Sequence, residues 1–504
     1  MKFFVSLSFM LLGGWLSAQS VSDAILFTQQ DLNGTSRYTG MAGAFGALGG
    51  DLSAIADNPA SASVFSYSEM GISAFFNNNE TTASYFSNAT TNDFNKLQLQ
   101  QFGLVFVLKN TSSNSDWTKI AWSFGSKRIA DFSNKLNAIG NNPNQNLGDY
   151  FTYYADGLAT KNIEVFDNET IPGIYEYLGN EMGYGAQQAF LGYQAYVIDP
   201  LSDDENNTMY RSAQLAGRVG HDWVVDQQGR HQQYNFTFSV RYRDFLDIGA
   251  AINSHNFRYE QTNILTETSD DTNSSLQEVT FENRWDTYGT GVSAQVGIIA
   301  KLQKAIRLGL SYQSPQYLRF EEEGSQALIS SGLVENETIQ TVVRPEVINT
   351  YPAYRMQLPA KVSLSMAYVF QEKGLVSVSY SSRNLARTRF NTDSQASYLG
   401  GLNNTLNETL GRVSELRLGS EWRTGRFLWQ LGYWTTNNAM SSIKDNDRAY
   451  TAGINFDLAG NLFGLSWVQS QQYSQRNLYP VGLTSGVSWE QKRTQLFLTY
   501  LFKL

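Results

Sequence analysis

Across 504 residues the sequence has no cysteine, three histidines and nine prolines. Without cysteine there is no disulfide, no thiolate metal site and no thiol chemistry. The histidines, His221, His231 and His255, leave little for imidazole catalysis. A Ser-His-acid hydrolase needs one of them held against a nucleophile and a carboxylate, and no Gly-x-Ser-x-Gly elbow lies near any of them. They are expected as solvated loop or rim side chains. No internal apolar run approaches the ~20 residues of a spanning helix. The single apolar stretch, Phe3–Leu16 between Met1-Lys2 and Ser17-Ala18, has the length and flanks of a secretory signal peptide over residues 1–18, cut before Gln19. The net charge of −9 excludes the basic footprint of a nucleic-acid binder.

What is present points to a β-barrel. Aromatic residues make up 13% of the chain, with 28 Tyr and 30 Phe, a supply suited to girdles at two membrane interfaces. Mean hydropathy is only −0.33, as a barrel allows, because alternate residues alone face lipid. The period-2 signal is explicit. Tyr234, Phe236, Phe238, Val240 and Tyr242 alternate with polar residues, and so do Val362, Leu364, Met366, Tyr368 and Phe370. Phe427 to Tyr433 and Leu496 to Leu504 repeat the pattern. The apolar set of each should meet lipid and the other set should line the lumen.

About 14 strands are predicted, near 68–77, 97–108, 118–130, 231–243, 245–261, 284–302, 304–321, 356–371, 373–389, 411–424, 425–437, 447–458, 461–472 and 491–504. Tight turns are expected at Arg243-Asp244, Leu302-Gln-Lys304, Gln371-Glu-Lys-Gly374, Thr424-Gly425 and Ala459-Gly460. Long polar loops are expected near 78–96, 131–230, 262–283, 322–355, 390–410, 438–446 and 473–490. Short turns on one side and long loops on the other belong to a barrel inserted from the periplasm. The acidic clusters Asp203-Asp204-Glu205 and Asp445-Asn446-Asp447 lack the glycine and the closing glutamate of an EF-hand and read as solvated loop charge.

Ahead of the strands lies a glycine-dense stretch from Arg37 to Ala60, with Gly40, Gly43, Gly46, Gly49 and Gly50 followed by Asp51, a cap for a short helical turn through Ile55. Pro59 then forces Asn58 toward an extended conformation. No strand precedes this run and no Lys-Ser/Thr follows it, so it is not a phosphate loop. A compact knot ahead of a long series of strands suggests a plug within a barrel.

The run Arg37-Tyr-Thr-Gly40, the glycines, Gly50-Asp51 and Asn58-Pro59-Ala60 resemble the N-terminal hatch of FadL-type outer-membrane transporters of long-chain fatty acids and other hydrophobic compounds. Arg307-Leu-Gly-Leu-Ser-Tyr312, Leu358-Pro-Ala360 with Ser363-Leu-Ser-Met-Ala-Tyr368, and Leu416-Arg-Leu-Gly-Ser-Glu-Trp422 resemble the same family. The chain departs from it at Ser61, where glycine is usual, in the length of 131–230, and at the terminal Leu504, where an aromatic is usual. The resemblance implies an all-β transmembrane barrel over 67–504 with a hatch over 19–66. It implies no catalytic constellation and no cofactor. The hydrophobic ligand would be caught by apolar outer loops, passed into the lumen and released through a lateral gap when the hatch shifts near Asn58-Pro59-Ala60. Outer-membrane lipid and the barrel-insertion machinery, which reads the last strand, are the other implied partners. A haemin receptor or an anchor for partner proteins are alternatives within the same resemblance.

Two sets of side chains are candidates for the ligand. Tyr153, Tyr154 and Phe190 lie in apolar segments of 131–230, where a purely solvating loop would have few such groups; exposed apolar surface marks a groove or interface, unless the segments pack on one another. Arg241, Arg307, Arg417 and Arg423 fall on lumen faces and could meet a carboxylate, or pair with neighbours such as Glu415 and Glu421.

Overall fold

Antiparallel strands with one wet and one greasy face leave two unpaired edges unless the sheet closes on itself. In the computed structural model it does. Residues 21–504 are described, apart from 113, 214–218, 272–273, 304, 336, 392–395 and 459. The signal-peptide segment 1–18 lies outside the described residues, as do Lys304 and Ala459 of two expected turns. The strands are β1 (Glu69–Tyr85), β2 (Asn88–Lys109), β3 (Trp117–Asp131), β4 (Asn134–Asn141), β5 (Ile198–Pro200), β6 (Tyr210–Ser212) and β7 (Val219–Tyr242). They continue with β8 (Leu246–Ser269), β9 (Leu276–Leu302), β10 (Ile306–Gln313), β11 (Gln316–Val334), β12 (Glu337–Val343), β13 (Asn349–Leu358) and β14 (Lys361–Val369). The remainder are β15 (Gly374–Asn384), β16 (Arg389–Asn391), β17 (Arg412–Thr424), β18 (Phe427–Thr436), β19 (Asp447–Leu458), β20 (Asn461–Asn477) and β21 (Gly486–Lys503).

The wall has 14 antiparallel strands. β3 with β4, β10 with β11, β13 with β14 and β15 with β16 each form one interrupted wall strand, while β5–β6 is a separate hairpin. Pro315 and Pro359 make two of the interruptions, since proline cannot donate to a ladder. The ring closes where β1 runs against β21, from Glu69↔Lys503 to Ser84↔Ser488. Phe236, Leu364, Leu431 and Leu498 point outward and are exposed, while Asn235, Thr237, Ser239, Gln495 and Thr499 are buried inward. The predicted two-faced alternation therefore holds. The five predicted tight turns also fall between strands, and each contains a residue of positive φ: Arg243 (46°), Gln303 (61°), Gln371 (53°), Gly425 (59°) and Gly460 (96°).

The other side differs from the expected long loops. β1 and β2 continue to a tight hairpin at Phe86-Ser87, so 78–96 is strand rather than loop. β8 and β9 likewise fill most of 262–283, and β11, β12 and β13 fill most of 322–355. Within 131–230, β4 and the first part of β7 pair with each other, Asn134↔Gln227 to Asn141↔Gly220.

After the three short N-terminal helices α1 (Val21–Thr28), α2 (Ser36–Gly40) and α3 (Ser61–Val64), a helical cap lies between β4 and β7, built from α4 (Leu147–Ala155), α5 (Ile171–Glu181) and α6 (Tyr184–Gln194). Asn146 and Asp149 form a capping box on α4, and Thr170 caps α5 with Pro172 in its first turn. Tyr150, Phe151, Tyr175, Leu178 and Phe190 pack with Trp223, Leu265, Phe281 and Leu328 from the upper strands into one core. That core reaches Tyr85 and Val487 on the opposite part of the ring, so the cap spans the mouth.

Candidate functional site

Residues 32–65 thread the lumen with almost every side chain buried. Their backbone fits against glycines on the inner wall. Gly309 faces Gly46, Gly419 and Gly432 face Met41 and Ala42, Gly453 faces Gly40, Gly297 faces Asn58, and Gly249 faces Pro59 and Ala60. A methyl at Gly249, Gly297, Gly309, Gly419 or Gly432 would run into the plug, and one at Gly453 would meet Gln430 of the wall first. Gly249↔Gly297 and Gly419↔Gly432 are direct cross-strand partners, so the wall is hollowed in register. In the plug itself Gly43, Gly49 and Gly50 take φ of 71°, 62° and 68°, angles closed to most side chains.

Polar groups fix the seat. Asp51 accepts from Thr35 Oγ1 (2.7 Å) and from Ser53 N (2.8 Å), just ahead of a single 3₁₀ turn at Ala54–Ala56. Asn58 Nδ2 donates to Gly46 O (2.8 Å) and to Ile298 O of the wall (3.2 Å), and its Oδ1 accepts from Ala60 N (3.1 Å). Arg37 grips Glu421 with both Nε and Nη2, each at 2.7 Å. Tyr38 OH donates to Asp57, and Arg417 bridges Tyr38 OH (2.6 Å), Asp57 (3.2 Å) and Glu415.

The candidate arginines are thus engaged within the protein. Arg241 forms two bonds to Asp247 (2.7 and 3.1 Å). Arg307 donates to Leu48 O of the plug (3.2 Å). Arg423 lies half-exposed, 3.8 Å from Asp457. None of the four lines the main lumen cavity. Of the candidate loop aromatics, Tyr154 and Phe190 lie inside the cap core and Tyr153 is 54% exposed; the structure does not bring the three into one open groove. Burial holds the Tyr150 phenol beside them well above its ordinary pKa.

On the outer side of the plug is a cavity of about 190 Å³. Three arginines that the sequence reading passed over, Arg383, Arg476 and Arg493, line it together with Trp434 and Trp489. Carrying the alternation of the last strand upstream from Leu496 would have placed Gln491 and Arg493 on the lumen face. α1 forms part of the lining through Ile25 and Leu26. Its Phe27 stacks on Phe320 at 4.5 Å and meets Phe257, Phe132 and Tyr259 edge-on at 5.7–6.2 Å.

The wall beside this cavity has a seam. The β2–β3 ladder runs only from Gln101↔Lys127 to Lys109↔Lys119. From Asn88 to Gln100, β2 pairs with β1 alone among the described residues, because the chain turns away at Phe132-Ser133 and β4 pairs with β7. Across the seam Gln100 Nε2 donates to Arg128 O (3.0 Å) and Lys96 Nζ reaches Ser133 Oγ (3.5 Å). Leu97 and Leu99 stand on its outer lip, 72% and 58% exposed. Asn134, which lines the cavity, accepts from Thr81 of β1 at 2.7 Å on its inner side.

The histidines contradict the expectation of solvated rim groups: all three are buried. His221 lies between Tyr85 OH (2.9 Å) and Glu267 (3.0 Å). That carboxylate also accepts from Leu147 N at the start of α4 (2.8 and 2.9 Å), which ties the cap to the barrel. His231 and His255 bond to each other, and His255 bonds to Ser293 (both 2.9 Å). The acidic run Asp203-Asp204-Glu205 is exposed, as predicted, whereas Asp447 is half-buried and accepts from Tyr473 N (3.0 Å).

No protein-family model matches the sequence, and no curated protein does. Solved structures do match in fold. A FadL homologue of Pseudomonas aeruginosa aligns over 94% of this chain and 99% of its own, with a TM-score of 0.53 at 9% identity. The toluene transporter TodX of P. putida aligns over 94% and 99%, with a TM-score of 0.51 at 10% identity. The chain has the fold of the FadL-type β-barrels.

Proposed function

We propose that this chain is an outer-membrane channel for uptake of hydrophobic small molecules, with residues 19–66 as its hatch. The observation that carries this reading is the seam between β2 and β3 directly beside a lumen cavity whose floor is plugged. A ligand entering that cavity meets a floor seated on glycines and clamped by charged pairs, whereas the side wall there is held by side chains alone. The hydrocarbon of the bilayer lies just beyond Leu97 and Leu99, and an apolar solute gains free energy by leaving water for it. Two solved structures of this fold, a FadL homologue and a toluene transporter, agree with an apolar cargo. Outer-membrane lipid then surrounds the barrel, and β21 serves the insertion machinery. Asn58-Pro59-Ala60 packs on β8 and β9 and is the proposed latch that keeps the hatch seated while the seam opens.

Because the chain has no cysteine, the double variant Q100C/R128C places a clean pair across the seam. In a Gram-negative host lacking its own transporter, the parent chain should raise uptake of labelled oleate or toluene above the host alone. Bridging the pair with a short bis-methanethiosulfonate, which forms a disulfide with each cysteine and releases methanesulfinate, should abolish the gain, and cleaving the bridge with a reductant should restore it. Uptake that continues with the bridge formed would place the exit elsewhere; no gain from the parent chain would end the uptake reading.

A further inference from the structure

The lumen cavity constrains its occupant by size and by chemistry. Its volume of about 190 Å³ exceeds the ~150 Å³ of an engineered apolar cavity that holds benzene. It falls below the ~300–1,000 Å³ in which drug-sized ligands are buried. One substituted ring fits; an extended long acyl chain does not fit within this state.

The lining is rich in carboxamides, among them Asn134, Gln227, Gln261 and Gln491, set against the indoles of Trp434 and Trp489. A plain hydrocarbon would strip water from these amides and return nothing to them, which is costly. A carboxylate is poorly served too. Of the lining guanidiniums, Arg493 is paired with Asp31 at 3.0 Å, Arg476 donates to Gln261 and Arg383 to Thr28 O, while the carboxylates of Glu415 and Asp447 stand on the same lining. At Arg493 an incoming anion would have to displace Asp31 and leave it buried and unpaired, and elsewhere on the lining it would face the carboxylates of Glu415 and Asp447.

Two donors remain unanswered. Gln491 and Arg493 stand on the inward face of β21 and are only 6% and 5% exposed. Gln491 Nε2 and Arg493 Nε have no hydrogen-bond partner among the described residues. Buried donors call for an acceptor.

We propose that this cavity is selective for an uncharged single-ring compound bearing an acceptor oxygen, which Gln491 and Arg493 receive while Trp434 and Trp489 flank the ring. The proposal rests on the uptake reading and narrows its cargo. Titration calorimetry of the full chain in detergent, with toluene, benzyl alcohol, benzoate and palmitate as probes, tests it. These keep one ring while adding a neutral oxygen or a charge, and palmitate supplies the long chain.

Benzyl alcohol is expected to bind about tenfold more tightly than toluene or benzoate, the worth of one hydrogen bond to a buried group. Gln491→Leu, with the barrel verified by its heat-shifted gel mobility, is expected to erase that advantage while leaving toluene unchanged. Toluene or palmitate binding as well as benzyl alcohol, or Gln491→Leu leaving the ranking intact, would overturn the proposal. Uptake of labelled toluene by cells carrying the same chain separates this from a failure of the broader reading: enhanced uptake with the wrong ranking condemns only the cargo class, and no enhancement for any probe condemns both.

Discussion

The Arg37–Glu421 pair offers the most direct test of whether residues 19–66 act as a hatch. It joins plug to wall by two bonds of 2.7 Å, with the two side chains 21% and 7% exposed. Removing one partner of a buried pair costs ~3–5 kcal/mol because the other charge is stranded, and the part-exposed arginine sets the value near the lower end. A loss of about 3 kcal/mol shifts a closed-to-open ratio by roughly a hundredfold. Arg37→Met strands Glu421 with the Gln430 Nε2 bond (3.0 Å) as its remaining support.

The wall ladder does not involve this pair, so the barrel should keep its heat-shifted mobility while the plug opens more often. Planar-bilayer recordings of the Arg37→Met protein should therefore show frequent conductance steps that the parent lacks. The double variant R37M/E421Q removes both charges, keeps an amide against Gln430, and should be quieter than the single. A single variant as silent as the parent, or a double as leaky as the single, would refute the idea that this pair holds the floor shut.

Gly309→Ala drives a methyl toward backbone atoms of the plug, Gly46 C at 2.6 Å and Ala47 Cα at 2.9 Å; overpacking costs ~1–3 kcal/mol and should raise conductance, whereas Gly400→Ala on α7 (Ala396–Thr409) meets nothing and should be neutral in the same recordings. Deleting residues 19–60 should give a permanently leaky barrel, and a truncated protein no more conductive than the parent would contradict a plugging role. Phe190→Ser, at a fully buried position, should lower cap stability by ~3–5 kcal/mol as read by protease sensitivity of 147–194, while Tyr153→Ser at an exposed position should leave the cap resistant; if Tyr153 takes part in ligand capture, its loss slows uptake without that cleavage.

The barrel was legible because its signals are local. Period-2 alternation in Tyr234–Tyr242 or Leu496–Leu504 reports a wall strand wherever lipid demands an apolar face, and turn glycines mark where strands reverse. Strand ends were not legible on the outer side, where the demand lapses: Thr81, Thr82, Thr91 and Asn92 pair across β1 and β2 yet read as loop. The cap was missed for a different reason. Its apolar residues read as loop segments, yet Asn146 with Asp149 and Thr170 with Pro172 are helix-start signals, and Tyr150, Phe151 and Tyr154 follow a helical spacing. Ionic partnerships were out of reach, since Arg417 meets Asp57 across 360 positions of sequence. His221 lies on, and His231 next to, the outer half of β7, which reads as loop, and His255 is buried inside the barrel on β8 instead of standing at its rim.

The distribution of restraints around the lumen also argues for the direction of exit. The floor is held by backbone seated on wall glycines, by Asn58 bonded to Ile298, and by the charged groups Arg37, Asp57 and Arg417. Opening it means breaking several of these together. At the seam, a stretch of ladder in which each backbone bond contributes ~0.5–1.5 kcal/mol gives way to the Gln100–Arg128 and Lys96–Ser133 contacts. In the proposed reading the weakest closure is the one that moves, and it opens on the membrane side. In that reading the hatch would act by its position, denying the ligand a downward route by staying seated and leaving the lateral one. Variants that loosen the plug should consequently add ion leak without adding uptake of an apolar solute, while bridging Q100C to R128C should stop uptake and leave the leak unchanged.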